Sequence, residues 1–578
     1  MSTGTADKRP DSPSGTVGQV SGRSIYESFP SHPFRRPPEM AGVRQRHPVV
    51  IVGAGPVGLT LACGLAHHGV PCVVLEPRGS VSFGSRASCL SRRSLEIWER
   101  FGVAGPILEK GLAWTGGHSF WHGHEVLEFT MPVDADQKHP PMVNLQQCFV
   151  EQYLLDGLAA RPDVDLRWHS TCSAIEANAK GAALRVDTPE GSYQLEADYV
   201  VAADGARSPV RQALGLRLEG NSYEGRYLIA DILLRSGHPT ERRAWFDPPS
   251  NPGSTVLMHR QPQDLWRVDY QLRDDEDDVA EQREDRVRAR IDAHLTMIGE
   301  TPDYELVWIS LYKAHCLTLP RFRHGRVLFA GDAAHLVPIF GVRGLNSGID
   351  DAGNLAWKLA ACVQGPSGRD ILLESYSEER VFAARENIRQ ARKSTLFMTP
   401  PTAGHVLLRE AALSLAVSNA WARPLINPRQ TTAISFPSSP LQTADSEMWT
   451  AGPAPGATLP TFPVRFRRAD QAWDGHLLDA LGPGLTVLLR AGDPAAEATV
   501  QAGSAALVIL AARDAAPTRG KAVAVDARGR SLALLGLEAP GSGYLIRPDG
   551  HVAARWHCFA AQAFMAACAR ALGQNVRP

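Results

Sequence analysis

The run Val49-Val50-Ile51-Val52-Gly53-Ala54-Gly55-Pro56-Val57-Gly58 decides the fold of this chain. Its apolar residues predict a fully buried strand, the glycines follow that strand directly, and residues 59–68 have the pattern of a helix. A second strand, 71–75, ends at Glu76. This spacing is typical of a βαβ unit that binds a dinucleotide.

The individual residues of the unit have distinct parts in such a site. Gly53 permits the tight turn, Gly55 lets the backbone approach a pyrophosphate, and Gly58 lets the helix pack closely on the strand. Pro56 belongs to the same turn, at a helix N-terminus that attracts phosphate. The Glu76 carboxylate can accept the ribose hydroxyl protons. The alternative is a structural glycine turn, but the complete strand–helix–strand–carboxylate pattern favours a flavin or nicotinamide site.

Two further motifs lie far downstream. Residues 198–211 read DYVVAADGARSPVR, and residues 325–346 read GRVLFAGDAAHLVPIFGVRGLN. In each, an apolar strand ends at a carboxylate beside a glycine, namely Asp204 before Gly205 and Asp332 after Gly331. Ligands of doubly wound sheets bind at such strand ends. Either motif alone could be an ordinary turn, whereas the two together, in this order, indicate a ligand site.

Composition excludes several classes of protein. The chain has 578 residues, 44% of them hydrophobic and 21% charged, with a net charge of −1. This predicts a soluble protein of two or three domains and argues against nucleic acid or an anionic membrane as partner. The nine cysteines are scattered without a CxxC pair, as expected of a reduced, cytoplasmic chain. No apolar run reaches the length of a membrane-spanning helix.

Changes in composition along the chain predict its domains. We expect a flexible N-terminal arm at 1–45, with residues 26–38 lying along the surface. A discontinuous dinucleotide-binding domain follows at 46–220 and 320–400, to which 110–145 and 220–320 add a substrate-binding sheet. A Pro-rich linker at 401–454 precedes a C-terminal domain at 455–578, where Arg547-Pro548-Asp549-Gly550 predicts a hairpin turn.

The trio GAGPVG, ADGARSPVR and GDAAHLVP resembles the single-component FAD-dependent aromatic hydroxylases, which have the p-hydroxybenzoate hydroxylase fold. The resemblance covers about 46–400, and 455–578 resembles the thioredoxin-like domain of the phenol hydroxylase branch. It implies an α/β fold in which a Rossmann-like FAD-binding domain is interleaved with a β-sheet substrate domain. It also implies tightly bound FAD, transient NADH or NADPH, O2, a C4a-hydroperoxyflavin that hydroxylates a phenol, and a homodimer.

The resemblance also carries over specific FAD contacts. Asp332 would bind the ribitol, Pro338 would lie beside the isoalloxazine, and Asp204 with Gly205 would serve FAD and the nicotinamide cofactor. Backbone N–H groups at a helix N-terminus would face the flavin pyrimidine and stabilise its anionic reduced form. Those N–H groups belong to Gly344, Leu345 and Asn346. Arg86 and Gln147 match the family's contacts to the diphosphate region of FAD. The family's usual second proline and GQG-like element are replaced here by residues 339–344, so Arg343 is a candidate flavin or substrate contact.

Substrate residues are expected from the middle sheet, because phenol hydroxylation needs a proton acceptor and an apolar pocket. His259 and Arg267, on consecutive predicted strands, are the main candidates, followed by Tyr223 and His315. Asp269 shares the face of Arg267. His118, His122, His124 and Glu125 allow a metal cluster, but a sheet edge near the pocket is the better interpretation, so no metal is expected.

Two alternatives to phenol hydroxylation remain open. One is a flavin oxidoreductase of the same fold that acts on a polyketide or removes a nitro or halogen substituent, or forms an epoxide. The other is a non-catalytic flavin-binding protein, against which the intact Gly53, Glu76, Asp332 and Asn346 argue.

Overall fold

The computed structural model describes residues 29–132, 136–365, 370–426, 430–468, 471–503, 505–511, 522–526 and 529–574. The strands up to residue 336 are β1 Arg46–Val52, β2 Cys72–Glu76, β3 Cys89–Ser91, β4 Leu112–Trp114, β5 Gly116–Trp121, β6 His124–Thr130, β7 Met142–Asn144, β8 Val164–Trp168, β9 Thr171–Asn178, β10 Gly181–Thr188, β11 Gly191–Ala202, β12 Glu219–Leu234, β13 Arg242–Phe246, β14 Thr255–Arg260, β15 Leu265–Leu272, β16 Tyr304–Thr318, β17 Arg323–His324, β18 Val327–Phe329 and β19 His335–Leu336. The helices of this part are α1 Pro56–His67, α2 Arg92–Arg100, α3 Ala104–Lys110, α4 Gln147–Leu158, α5 Pro209–Ala213 and α6 Glu284–Met297.

The remaining elements follow in chain order. Helices α7 Gly344–Gln364, α8 Asp370–Met398 and α9 Ala403–Ser418 come first. The strands are β20 Pro463–Arg468, β21 Gln471–His476, β22 Thr486–Arg490, β23 Ala506–Ala511, β24 Ala522–Val525, β25 Gly543–Ile546 and β26 Val552–Trp556. Three helices lie among and after them: α10 Pro494–Ala502, α11 Ser531–Leu534 and α12 Ala561–Ala571.

The predicted βαβ unit is the centre of the first sheet, whose order is β17-β18-β11-β1-β2-β8, with β10 and β9 added beside β11. Strands β18, β11, β1, β2 and β8 run parallel, so their carboxyl ends meet at one edge. Helix α1 packs against α7. A side chain at Gly64 of α1 would stand 2.6 Å from Cβ of Ala356, which shows how closely the two helices approach. This contact fixes α7 over the carboxyl edge.

The middle of the chain forms a second sheet, ordered β19-β16-β12-β15-β14-β13-β5-β6. One face carries an apolar core with Trp266, Val268 and Tyr270. Residues with the opposite parity, including Arg267 and Asp269, lie on the other face, as their alternation predicts. The fold class predicted for residues 46–400, a Rossmann-like domain interleaved with a β-sheet domain, is confirmed.

The C-terminal residues form a third sheet, ordered β21-β20-β24-β23-β22-β25-β26. The predicted hairpin is present, with its turn between β25 and β26. Its Arg547 donates to both carboxylate oxygens of Glu379 on α8, at 2.6 and 2.9 Å. Glu379 also accepts from Lys358 and Asn354 of α7, at 2.7 and 2.8 Å. A buried ionic cluster therefore joins the third sheet to both long helices. The thioredoxin-like assignment of this domain stays a prediction.

Two parts of the chain differ from their predicted character. Helix α9 lies inside the segment predicted as a Pro-rich linker, because the prolines fall outside 403–418 and leave a helix-forming apolar stretch. In the predicted arm, residues 1–28 are outside the described residues, whereas 29–45 pack on the first sheet. There Glu39 pairs with Arg167 at 3.0 Å, and His32 stacks on Trp168.

Candidate functional site

The glycine run forms a cradle at the carboxyl end of β1. Gly53 has φ of +106°, and a Cβ there would lie 2.5 Å from the Ala203 carbonyl oxygen. A Cβ at Gly58 would lie 2.0 Å from the Gly53 carbonyl oxygen, so helix α1 requires glycine for its contact with the strand. At Gly55 the position of a Cβ has no atom within 4 Å. A ligand can thus approach the backbone at Gly55, the glycine assigned to the pyrophosphate.

Glu76, the residue expected to bind the ribose hydroxyl groups, lies at the end of β2. Its side chain is buried and accepts a hydrogen bond from the Ala54 N–H at 2.8 Å. The other carboxylate oxygen accepts from Arg78 Nε at 2.7 Å. These bonds fix the carboxylate beside the glycine cradle.

The two downstream carboxylates lie at the same edge, because β11 and β18 are parallel neighbours of β1. Asp204 accepts from the Val210 N–H at 3.1 Å, while its buried Oδ1 has no hydrogen-bond partner in the described part of the chain. Burial raises the pKa of both Asp204 and Asp332. Asp332 is open to solvent even though protein atoms surround its carboxyl group closely enough to raise its pKa.

Arg86 lies near Asp332 and Glu151, and Gln147 lies beside Glu151. Burial lowers the pKa of Arg86, and the charges of Glu151 and Asp332 oppose that shift. Its Nε finds no acceptor among the described residues. Gln147 donates to Glu151 at 2.8 Å. Asp204 and Arg86 thus each keep a buried polar atom that has no partner among the described residues and that a bound ligand can satisfy.

Helix α7 begins at Gly344, as the flavin assignment expects, directly after the loop that contains Pro338. The first N–H groups of a helix have no partner within it, so those of Gly344, Leu345 and Asn346 are available to a ligand. The Asn346 side chain bonds instead to protein: its Oδ1 accepts from the Ser91 N–H at 2.8 Å. It thereby fixes α2 to the start of α7.

The loop before α7 holds Arg343, the candidate contact that replaces the family's usual element. Its guanidinium donates to Asn387 on α8 at 2.8 Å and to the Gln430 carbonyl oxygen at 3.2 Å. These bonds give Arg343 a role in fixing the loop, and a flavin or substrate contact stays a prediction. Val342 has φ of +58°, a left-handed conformation that strains a β-branched residue.

On the middle sheet, His259 and Arg267 are cross-strand partners on one face, with Arg242 beside His259 and Asp231 beside Arg267. Arg267 donates to Asp231 at 3.1 Å and to the Arg86 carbonyl oxygen at 2.7 Å. It therefore holds the loop that carries Arg86. His259 is buried, and neither ring nitrogen has a hydrogen-bond partner in the described residues. Burial and the charges of Arg267 and Arg242 lower its pKa well below the usual value, so the ring is neutral.

Two charged residues on this face were missed as candidates. Burial raises the pKa of Asp269 to about 7, although Arg267 opposes the shift. Arg242 lies in the same row as His259, next to the row that contains Asp269, and burial lowers the pKa of Arg242. Alternation along β15 placed Asp269 beside Arg267, but nothing in the local sequence distinguishes Arg242 from its neighbour Arg243. Only the pairing of β13 with β14 shows that Arg242 faces His259.

Arg242 lines a narrow, mostly apolar pocket of about 20 Å³. The other residues around it include Ser119, Ala244, Leu257, Phe340 and Met398. Phe340 belongs to the loop between Pro338 and α7 and stacks edge-on against Tyr227 of β12. The pocket therefore separates the charged sheet face from the predicted flavin loop.

The other candidates lie elsewhere. The side chain of Tyr223 is outside the described residues. His315 pairs with Ser222 of β12, whereas Arg267 pairs with Asp231 of the same strand. Ser222 and Asp231 are nine residues apart, which is roughly 30 Å at the usual rise of a strand. His315 is therefore not brought to His259. His122 lies in the tight turn between β5 and β6, and His118 pairs with Glu125. No group of side chains in the described ranges could hold a metal ion.

These observations define a flavin-binding oxidoreductase. The open glycine cradle, the buried Glu76 and the unpartnered polar atoms of Asp204 and Arg86 fit the phosphates, ribose and ribitol of FAD. No helix among the described residues has the length and apolar character needed to span a bilayer.

Comparison with known proteins agrees with this class. A family described as "FAD binding domain" matches residues 46–391. The 3-(3-hydroxy-phenyl)propionate/3-hydroxycinnamic acid hydroxylase of Mycolicibacterium smegmatis is 31% identical over 449 residues, 77% of each chain. A flavin-dependent monooxygenase of Mycobacteroides abscessus is 33% identical over 358 residues, covering 58% of this chain and 71% of that one.

Solved structures show the same architecture. The p-nitrophenol 4-monooxygenase PnpA of Pseudomonas putida aligns with a TM-score of 0.58 at 27% identity, over 66% of this chain and 97% of that one. The monooxygenase PieE, solved with FAD and substrate, aligns with a TM-score of 0.75 at 23% identity, over 92% and 100% of the chains. The chain thus belongs to the FAD-binding family of single-component aromatic hydroxylases, as its motifs predicted, and is an FAD-dependent monooxygenase.

Proposed function

We propose that this enzyme hydroxylates a phenol at the pocket lined by Arg242, with Asp269 as the acceptor of the phenolic proton. The observation that supports this most is the placement of a carboxyl of pKa about 7 on the same sheet face as Arg242. A base with a pKa near the working pH is well suited to draw off such a proton. The neutral His259 lies on the same face, and its ring nitrogens, which have no partner among the described residues, can relay the proton to or from Asp269.

FAD, reduced by NADH or NADPH, would activate O2 and supply the transferred oxygen atom. The chain's own residues prepare the substrate. The Arg242 cation stabilises the phenolate that forms on deprotonation, because a charge–charge contact is strong where water is scarce. The apolar side chains of Ala244, Leu257 and Phe340 exclude water from the reacting ring. Since the pocket is narrow, the flexible Met398 must change its rotamer to admit the ring.

The substrate class follows from the relatives. Two relatives that match over 77% and 78% of this chain are named as 3-(3-hydroxy-phenyl)propionate/3-hydroxycinnamic acid hydroxylases. We therefore infer a phenol with a side chain, and a polyketide or a nitro- or halo-substituted phenol is the alternative.

A panel of these compounds tests the proposal. NADH and NADPH consumption, flavin reoxidation and oxygenated product would be measured for the FAD-loaded enzyme with each. We expect phenols to stimulate consumption with product formed in proportion. Stimulation without product, or none by any phenol, would contradict the proposal.

Two variants test the residue roles. Asp269→Asn should lower kcat by about 100-fold or more, because general-base catalysis contributes about 10²–10⁴. It should also abolish the rise of kcat/KM with pH through about 7. The matched control is Asp198→Asn, which changes a half-exposed carboxylate paired with Arg46 on the first sheet. A pH limb that survives in Asp269→Asn would exclude this base.

The family resemblance also suggests a homodimer and a cytoplasmic location. Analytical ultracentrifugation and cell fractionation would test these two inferences.

A further inference from the structure

A second, larger cavity adjoins the proposed reaction pocket. It is a cleft of about 740 Å³, a size typical of a binding site for a small organic ligand. Phe246 of β13 lines both spaces. At the end of α8, Met398 lines the pocket and Thr399 lines the cleft. A substrate that enters the pocket can therefore extend into the cleft.

Arg409 of α9 stands out among the residues that line this cleft. Its side chain is 5% exposed, and its Nε and Nη1 atoms find no acceptor among the described residues. A buried guanidinium whose N–H groups lack an acceptor is costly, because these groups lose their hydration and gain no hydrogen bond in return. Burial lowers its pKa, opposed by Glu410, Tyr227 and Asp247.

The other charged residues of the cleft show what kind of anion would fit. Arg273 is already paired with Glu276 at 2.8 Å, and Asp247 accepts from the Gly253 N–H at 2.6 Å. His122 also contacts Asp247, at 3.1 Å. The lining thus holds two guanidinium groups, at Arg273 and Arg409, against three carboxylates, at Asp247, Asp274 and Glu410. A polyphosphate would be repelled by this set, whereas a single carboxylate can pair with Arg409.

We propose that Arg409 binds a carboxylate on the substrate, so that the enzyme acts on phenols with an acidic side chain that lies in the cleft. This inference rests on the proposed function and deepens it. The ring occupies the pocket beside Arg242, and the side chain passes Phe246 to reach Arg409. Tyr227 interacts electrostatically with both Arg242 and Arg409, and a hydrogen bond to Thr399 at 2.8 Å fixes its position.

The test compares an acid with its neutral counterpart. The probes are 3-(3-hydroxyphenyl)propionate, a longer 3-hydroxyphenyl-alkanoate and the methyl ester of each. Their binding to the FAD-loaded enzyme is measured by the change in flavin absorbance, which needs no turnover, and their kcat and KM by product formation. We expect at least one acid to bind at least tenfold more tightly than its ester.

The variants are Arg409→Gln and Arg409→Lys. Loss of a hydrogen bond to a charged group should raise Kd and KM for the acid by about 10- to 100-fold in Arg409→Gln, with kcat nearly unchanged. The Kd and KM for the ester should change less than threefold, and Arg409→Lys should recover part of the lost affinity for the acid. The matched control is Arg465→Gln, an exposed arginine on the third sheet. Thermal unfolding of the Gln variant shows whether the fold is intact.

Each outcome has a defined meaning. Equal effects on acid and ester, no preference of the native enzyme for any acid, or a raised KM for NADPH with unchanged binding of the aromatic would overturn the role of Arg409. Acid binding that depends on Arg409 without hydroxylation would support the subsite while contradicting the proposed function.

Discussion

Asp269 should make the enzyme less stable as the pH rises, in the range where it becomes active. The side chain is 6% exposed, and burial raises its pKa from 3.8 to about 7. A shift of about three pKa units corresponds to about 4 kcal/mol. In the proposed mechanism the same shift creates the base.

The sign of the effect follows from proton binding. Between pH 4 and 7 the folded protein holds a proton on Asp269 that the unfolded chain has lost, so the free energy of unfolding falls as the pH rises. The favourable contribution is complete below pH 4 and is gone above about pH 7. An asparagine side chain cannot ionise, so the variant Asp269→Asn should escape this loss.

Urea unfolding at pH 5.5 and pH 8.5, followed by tryptophan fluorescence, measures the effect. The stability of Asp269→Asn relative to the native protein should increase by about 2 kcal/mol between the two pH values, the part of the shift that lies above pH 5.5. The exposed control Glu176→Gln should change by less than about 0.5 kcal/mol. A stability difference for Asp269→Asn that is independent of pH would refute the reasoning, as would one that falls at high pH.

Three further predictions concern the cofactor cradle, the contact of the third sheet with the long helices, and the loop before α7. Gly55→Ala should retain the fold but lower the affinity for FAD, because its Cβ meets no protein atom and would stand where the phosphate is expected. Gly58→Ala should also lose stability, since its Cβ would stand 2.0 Å from a carbonyl oxygen. Flavin fluorescence titration and thermal unfolding distinguish the two variants, and similar behaviour of both would contradict the cradle. Arg547→Met should lower the free energy of unfolding by about 3–5 kcal/mol, because it leaves Glu379 and Asp549 buried with fewer partners. The control Arg465→Met, in an exposed pair, should change stability little. Equal unfolding temperatures of the two variants would refute the role of the buried cluster. Val342→Gly should change stability by less than about 1 kcal/mol, because relief of left-handed strain offsets the lost packing against Trp114, Met131 and Met142 and the added entropy of the unfolded chain. A loss of more than about 2 kcal/mol would contradict the strain.

Much of the FAD-binding region could be predicted because its requirements are local. A strand, a glycine turn and a helix are consecutive in the chain, and the steric need for glycine at residues 53 and 58 concerns atoms that lie close in sequence or in the adjacent strand. The carboxylates Glu76, Asp204 and Asp332 could be placed together because parallel strands end at one edge. Helix α9 was missed because a cluster of prolines on both sides concealed a short helical stretch.

The substrate side depended on contacts between distant segments. Arg242 and Asp269 share one sheet face only through the pairing of β13, β14 and β15, and their pKa shifts arise from burial, which no sequence motif specifies. Arg409 has its cleft because α9 packs beside Phe246 and Thr399, far away in the chain. The sequence by itself therefore determined a dinucleotide site, through motifs with fixed local geometry, and the resemblance that these motifs carry implied FAD and the class of reaction. Only the tertiary structure decided which charged side chains face the substrate, because desolvation and pairing depend on the surroundings that folding creates.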